Sequence, residues 1–85
     1  MSEIKFYGAD WCSDCRRSKS LLNTLGVDYD MKDVEQHPEF ATEAEQIAGR
    51  KNIPVVQFAD GKFLVEPSDA ELHAELTIRN LIPAK

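Results

Sequence analysis

The sequence predicts an α/β domain in which a four-stranded mixed sheet and three helices follow the order βαβ-α-ββ-α, spanning 1–85 as a single unit. Three observations carry this expectation. A cysteine pair opens a stretch of helical apolar spacing that lies between two short strand-like runs. Asp60-Gly61 separates two further runs rich in β-branched and aromatic residues. Ser68 with Glu71 three positions later forms the signature of a helix start near the end of the chain.

Ile4-Lys5-Phe6-Tyr7 ahead of Gly8 reads as a short, largely buried strand. From Cys12 to Leu25 the apolar positions Cys15, Leu22 and Leu25 recur at helical spacing, and Gly26 is placed to end that helix in the left-handed conformation. Val27-Asp28-Tyr29-Asp30-Met31-Lys32 alternates apolar and polar residues, the pattern of a strand buried on one face at a sheet edge. Pro38 in a first turn, Glu39 beside it, Phe40, Ala44, Ile47 and Ala48 on one side and Gly49 beyond them predict a second helix. Ile53 to Phe58 and Lys62 to Val65 predict an antiparallel hairpin closed by a two-residue Asp60-Gly61 loop. The last helix should present Leu72 and Leu76 to the core and stop before Pro83. A βαβ start places two strands parallel through a right-handed crossover, and the hairpin then extends the same sheet. That order matches the thioredoxin-like fold.

Composition narrows the function. With 42% hydrophobic and 29% charged residues the chain is ordinary for a globular protein, and no window approaches the run of about eighteen apolar residues that a membrane span needs. The start, Met1-Ser2-Glu3-Ile4-Lys5, lacks the basic and apolar regions of a signal peptide, which points to the cytoplasm. A net charge of −5 repels phosphate backbones, so nucleic acid is not an expected partner; the one basic cluster is Arg16, Arg17 and Lys19.

The two cysteines, Cys12 and Cys15, bound a closed loop too small to constrain much of the unfolded chain, and a reducing cytosol disfavours structural disulfides. As a redox couple they are well placed. Backbone N–H groups at a helix start favour a thiolate, and Cys12 stands nearest to them. Cys15, a turn further in and on the apolar side, suits a resolving thiol. Cys12 attacks a disulfide and Cys15 releases the resulting mixed disulfide. Asp14 either complements the helix dipole or tunes the pair, opposing Arg16, Arg17 and Lys19. Trp11, beside the nucleophile, offers a flat apolar contact to a disulfide-bearing partner or simply packs. Pro54, opening a strand at a compact turn, is a candidate for a cis peptide.

From about Ile4 to Leu76 the chain resembles the glutaredoxins, on Tyr7, Cys12-Ser13-Asp14-Cys15-Arg16-Arg17, Ile53-Pro54 and Asp60-Gly61 taken together. The resemblance implies a thiol–disulfide oxidoreductase of disulfides and mixed disulfides. It also implies that Pro54 is cis beside the cysteine pair and that Ile53 pairs its backbone with a bound thiol peptide. Tyr7, Trp11, Ser13, Asp14, Ile53 and Pro54 become the candidate substrate-binding residues around catalytic Cys12 and Cys15.

Three departures bear on the substrate. Glutathione-using members usually carry a lysine where this chain has Ala9, a Gly-Gly pair where it has Val65-Glu66, and a tyrosine where it has Asp14. Phe58-Ala59-Asp60-Gly61, Leu64, Pro67, Ser68 and Glu71, with Trp11, Arg17 and Lys19, look most like mycoredoxins, glutaredoxin relatives that reduce mixed disulfides between proteins and mycothiol. That favours mycothiol over glutathione as the electron source, with no bound cofactor and a monomer as the working form. The alternative is a dithiol donor to ribonucleotide reductase or similar proteins, recharged from NADPH by thioredoxin reductase. A binding dimer in which two chains pool Cys12 and Cys15 around zinc or an iron–sulfur cluster is the reading from a different class. His37 and His73 are expected to face solvent rather than to add ligands.

Overall fold

The computed structural model describes residues 3–83, so Met1 and Ser2, which open the stretch read above for a signal peptide, lie outside the described residues. The element order is β1 (Ile4–Gly8), α1 (Ser13–Leu25), β2 (Asp30–Asp33), α2 (Pro38–Ala48), β3 (Val55–Phe58), β4 (Phe63–Val65) and α3 (Asp69–Ile78). The four strands lie in the order β2-β1-β3-β4. β1 is parallel to β2, with Phe6 opposite Met31, and antiparallel to β3, with Phe6 opposite Val56. β3 and β4 close the far edge as an antiparallel pair. The expected fold class holds: three helices on a four-stranded mixed sheet.

Alternation along the strands divides the core between the two faces of the sheet. Ile4, Phe6, Val56 and Phe58 pack with Cys15 and Leu22 of α1 and with Leu72 and Leu76 of α3. Tyr7 and Val55 face the other way, onto Ala44, Phe40 and Ile47 of α2. The end of β1 that leads to the cysteine pair is therefore covered on both sides.

Several boundaries differ from the sequence reading, each for a backbone reason. The second strand begins at Asp30 rather than Val27, because Gly26 (φ 72°) and Val27 complete a Schellman cap on α1. The Val27 N–H donates to the Leu22 carbonyl at 2.9 Å, and Val27 packs with Leu22, so its apolar side chain serves the helix end instead of a strand. Ile53 and Pro54 precede the third strand, which starts at Val55. The hairpin loop has three residues, not two: Gly61 at φ 92° donates to the Phe58 carbonyl, and the Phe58 N–H donates to the Lys62 carbonyl. The fourth strand accordingly begins at Phe63.

The last helix stops at Ile78, well short of Pro83. Asn80 takes the left-handed conformation (φ 58°) and the Leu81 N–H donates to the Leu76 carbonyl at 3.0 Å, a second Schellman cap with Asn in the place of Gly. Its start is as expected. The Ser68 hydroxyl accepts from the Glu71 N–H while the Glu71 carboxylate accepts from the Ser68 N–H, which holds that carboxyl below its usual range.

One buried polar atom stands out. The Ser18 hydroxyl, on the inward face of α1 between Cys15 and Leu22, is fully buried and has no hydrogen-bond partner among the described residues. An unmade buried hydrogen bond costs free energy in the native state and alanine is the better helix former. Ser18→Ala is expected to stabilise the fold by about 1 kcal/mol, read as a higher urea midpoint with an unchanged denaturant slope.

Candidate active site

Cys12 is the cap of α1 rather than its first residue. Its backbone is extended (φ −83°, ψ 117°), and its Sγ accepts a hydrogen bond from the Cys15 N–H at 3.2 Å. A sulfur thus occupies the position where Ser, Thr, Asp or Asn normally satisfies an orphan donor of the first turn. That bond gives a first-turn donor its partner and sets the sulfur at the N-terminal end of the helix dipole. The preceding turn is closed by the Cys12 N–H donating to the Ala9 carbonyl at 3.2 Å.

The two thiols sit in different environments. Both are free; Cys12 is half-buried, whereas Cys15 is fully buried in the core with Phe6 and Leu22. Burial pushes the Cys15 thiol up to about 12, reinforced by its hydrogen bond with Cys12 and by the charge of Asp14, against a hydrogen bond to the Ala9 backbone that pulls it down. Gly8 makes room for this sulfur. A Cβ built there would stand 2.9 Å from Cys15 Sγ and 2.8 Å from the Phe6 ring, closer than real contacts allow.

The Ile53-Pro54 peptide is cis. The Cys12 Sγ lies 4.0 Å from the Ile53 carbonyl oxygen, so residues 41 apart in sequence meet at the thiol. The Pro54 carbonyl accepts from the Glu66 N–H at 2.9 Å, and the Asn52 side-chain amide donates to the Glu66 carboxylate at 2.6 Å, which ties this loop to the end of β4. Glu66 itself holds a left-handed backbone (φ 50°), a conformation that favours glycine, at the place where the chain departs from the Gly-Gly of its resemblance.

The other predicted residues fall into two groups. Trp11 is 64% exposed, and its indole N–H donates to the Glu35 carboxylate at 3.3 Å. With Val34, Ala41, Ala44 and Ile53 it walls a groove of about 400 Å³ beside α2. Ser13 and Asp14 lie in the first turn of α1, and Asp14 pairs with Arg17 at 3.2 Å. Tyr7 is not brought to the pair. It is buried on the α2 side, donates to the Glu43 carboxylate at 3.0 Å, and is pushed up to about 12 by burial and then by that bond. Arg16, Arg17 and Lys19 each meet oxygens at the rim: Arg16 the Asp10 carbonyl, Lys19 the Asp10 carboxylate, and Arg17 both Asp14 and Asp69.

His37 caps α2 without a side-chain cap hydrogen bond, stands 3.8 Å from the Glu39 carboxylate and packs its ring at a tilt against Phe40, and His73 lies on the exposed side of α3. Among the described residues no group of three or more His, Cys, Asp and Glu side chains is arranged to hold a metal ion. The sequence reading did not single out Gly8 as a spacer, nor Glu35. Glycine's lack of a side chain beside a buried thiol was the one available signal for the first, and pairing of Trp11 with Glu35 across 24 positions carries no local signature.

Fold and thiol pair together define a thioredoxin-like protein with a dithiol at a helix start. The chain belongs to the glutaredoxin family: the family model named Glutaredoxin matches residues 4–64. It is accordingly a thiol–disulfide oxidoreductase. Mycoredoxin 1 of Corynebacterium glutamicum is 36% identical over 78 residues, covering 89% of this chain and 95% of that protein. A glutaredoxin of Pseudomonas aeruginosa is 32% identical over 56 residues, covering 66% and 67% of the two chains. Among solved structures, the glutaredoxin of Archaeoglobus fulgidus superposes with a TM-score of 0.73 at 24% identity, over 99% of this chain and 89% of that one. A buckwheat glutaredoxin–glutathione complex superposes with a TM-score of 0.70 at 23% identity, over 96% and 83%, and both likenesses concern the fold.

Two outcomes follow from the Cys15 environment. Reduced native protein should take up a single iodoacetamide at neutral pH, at Cys12, and a second only in denaturant, as read by mass spectrometry. Stability should fall as pH rises from about 9 towards 12, since over that window the unfolded chain releases protons that Cys15 and Tyr7 retain in the fold. In Cys15→Ala the decline should start about one pH unit later, where Tyr7 alone contributes, measured by chemical denaturation at each pH.

Proposed function

We propose that Cys12 is the nucleophile and Cys15 the resolving thiol of a cytoplasmic enzyme that reduces mixed disulfides between proteins and a low-molecular-weight thiol. The observation that carries this reading is the Cys12 Sγ accepting from the Cys15 N–H at 3.2 Å while the Cys15 thiol is buried behind it. One sulfur is half-buried at the helix start and the other is kept protonated in the core, which is the division of labour that exchange needs.

The Cys12 thiolate attacks the low-molecular-weight sulfur of a client mixed disulfide. The client sulfur leaves as a thiolate and takes up a proton, and Cys12 now carries the small thiol. A second molecule of that thiol, as its anion, attacks the small-thiol sulfur, forms the symmetrical disulfide and restores the Cys12 thiolate. In the two-thiol route Cys15, losing its proton, attacks Cys12 Sγ instead and expels the small thiol or the client, leaving a Cys12–Cys15 disulfide to be reduced.

The small thiol we propose is mycothiol. Support comes from the 36% identity to Mycoredoxin 1 and from Ala9, a fully buried methyl where glutathione users usually carry lysine. Ile53, whose carbonyl stands beside Cys12, is proposed to meet the bound thiol, with Pro54, Trp11, Ser13 and Asp14 around it. Tyr7 supports the site through α2 and Glu43 rather than by contact.

The test offers wild type, Cys12→Ser and Cys15→Ser a client carrying mycothiol or glutathione, with thioredoxin reductase plus NADPH as a separate arm. Cys12→Ser should lose every activity, and Cys15→Ser should keep mycothiol-dependent turnover. Turnover only in the reductase arm, with both thiols required, would replace this reading by the dithiol donor.

A further inference from the structure

The groove beside Cys12 carries a charge pattern that the cysteine chemistry does not require. Its polar lining is Glu35, Thr42, Glu45 and Lys51, two carboxylates against one ammonium, around the apolar surface of Trp11 and Ile53. Glu35 accepts from the Trp11 indole N–H at 3.3 Å, a neutral donor, and has no ion-pair partner within 4.0 Å among the described residues. Neither Glu45 nor Lys51 has an ion-pair partner within 4.0 Å among the described residues. Ile53 belongs both to the groove lining and to the contact with Cys12 Sγ, which sets the groove next to the thiol.

We infer that Glu35 and Glu45 are specificity-determining residues that select an uncharged, hydroxyl-rich thiol and repel one bearing carboxylates. The inference rests on the proposed low-molecular-weight-thiol route and adds to it the residues that discriminate. A carboxylate accepts hydrogen bonds from sugar-type hydroxyls without cost in charge, and the exposed face of Trp11 offers apolar contact to the C–H side of a ring. A tripeptide thiol such as glutathione brings two carboxylates and one ammonium, a net negative charge, into a groove whose own excess is negative. Like charges at exposed sites are worth a fraction of a kcal/mol each, about threefold in rate per carboxylate, and they are screened by salt.

The experiment compares one client peptide carrying either mycothiol or glutathione, with the matching free thiol as reductant, for wild type, Glu35→Gln/Glu45→Gln and the charge-conserving Glu35→Asp/Glu45→Asp. The quantity read is the ratio of kcat/KM for the two thiols, which cancels any general loss of folding or activity. The Gln pair should shift that ratio about tenfold towards glutathione, and the Asp pair should leave most of the wild-type preference. Raising salt to about 0.5 M should narrow the preference of wild type and of the Asp pair, and do little to the Gln pair. A ratio that ignores the Gln substitutions, or a wild-type preference indifferent to salt, would overturn the inference while leaving the mycothiol route intact. If wild type turns over neither mixed disulfide and works only with thioredoxin reductase, the low-molecular-weight-thiol route fails and the selectivity assignment falls with it.

Discussion

The hydrogen bond from the Cys15 N–H to the Cys12 Sγ is the constraint around which the rest of the molecule is arranged. A helix start leaves backbone donors without partners, and most proteins spend an oxygen on them. Here the acceptor is a sulfur, so the atom that satisfies the helix start is one of the two thiols. The bond requires α1 to begin at Ser13, which requires the tight turn from Ala9 to Cys12 and the swing of the chain out of β1. It also brings Cys15 round to the inner face, where Gly8 leaves space for its sulfur against Phe6. Removing a side chain at one residue therefore permits burial of a thiol seven positions later.

Much of this was legible in the sequence because it depends on local patterns. The cysteine spacing, Gly26, Pro38, Gly49 and the Ser68–Glu71 box each act within a turn or two of themselves, and α1, α2 and the start of α3 lie where those residues place them. The boundaries that moved were those where two local patterns compete for one residue. Val27 is apolar in phase with a strand and also stands where a Schellman cap needs a hydrophobe, and the cap has it. The end of α3 did not move: it stops before Pro83 as expected, with Asn80 in the place of glycine in its cap. Asp60-Gly61 indicated a hairpin correctly, but its loop length depends on whether Ala59 or Asp60 begins the turn, which pairing at Phe58 decides.

The cysteine pair was legible in the sequence and its surroundings were not. A CxxC pair announces itself; the carbonyl of Ile53 beside Cys12 joins residues 41 positions apart, and no periodicity reports such a meeting. Tyr7 shows the converse. Its place in the resemblance suggested contact with substrate, whereas strand alternation turns it to the face opposite Phe6, where its hydroxyl is satisfied by Glu43. Neighbourhood in sequence to a reactive group says little in a strand, since adjacent side chains point apart.

Arg17 braces the rim of the site. Its guanidinium reaches Asp14 at 3.2 Å within α1, Asp69 at 3.6 Å in the first turn of α3, and the Pro67 carbonyl at 3.4 Å between them. Half-exposed ion pairs of this kind contribute little to stability. Their effect is geometric: one side chain spans two helix starts and fixes the segment that runs from β4 into α3. That segment begins with Glu66, whose N–H holds the Pro54 carbonyl and so bears on where Ile53 sits. Asp14 thus anchors the guanidinium that braces this loop, while its own charge adds to the burial that keeps Cys15 protonated. The two readings of Asp14, dipole complement and tuning group, are then not rivals, because a carboxylate in the first turn of α1 meets the helix dipole, the guanidinium and the buried thiol at once.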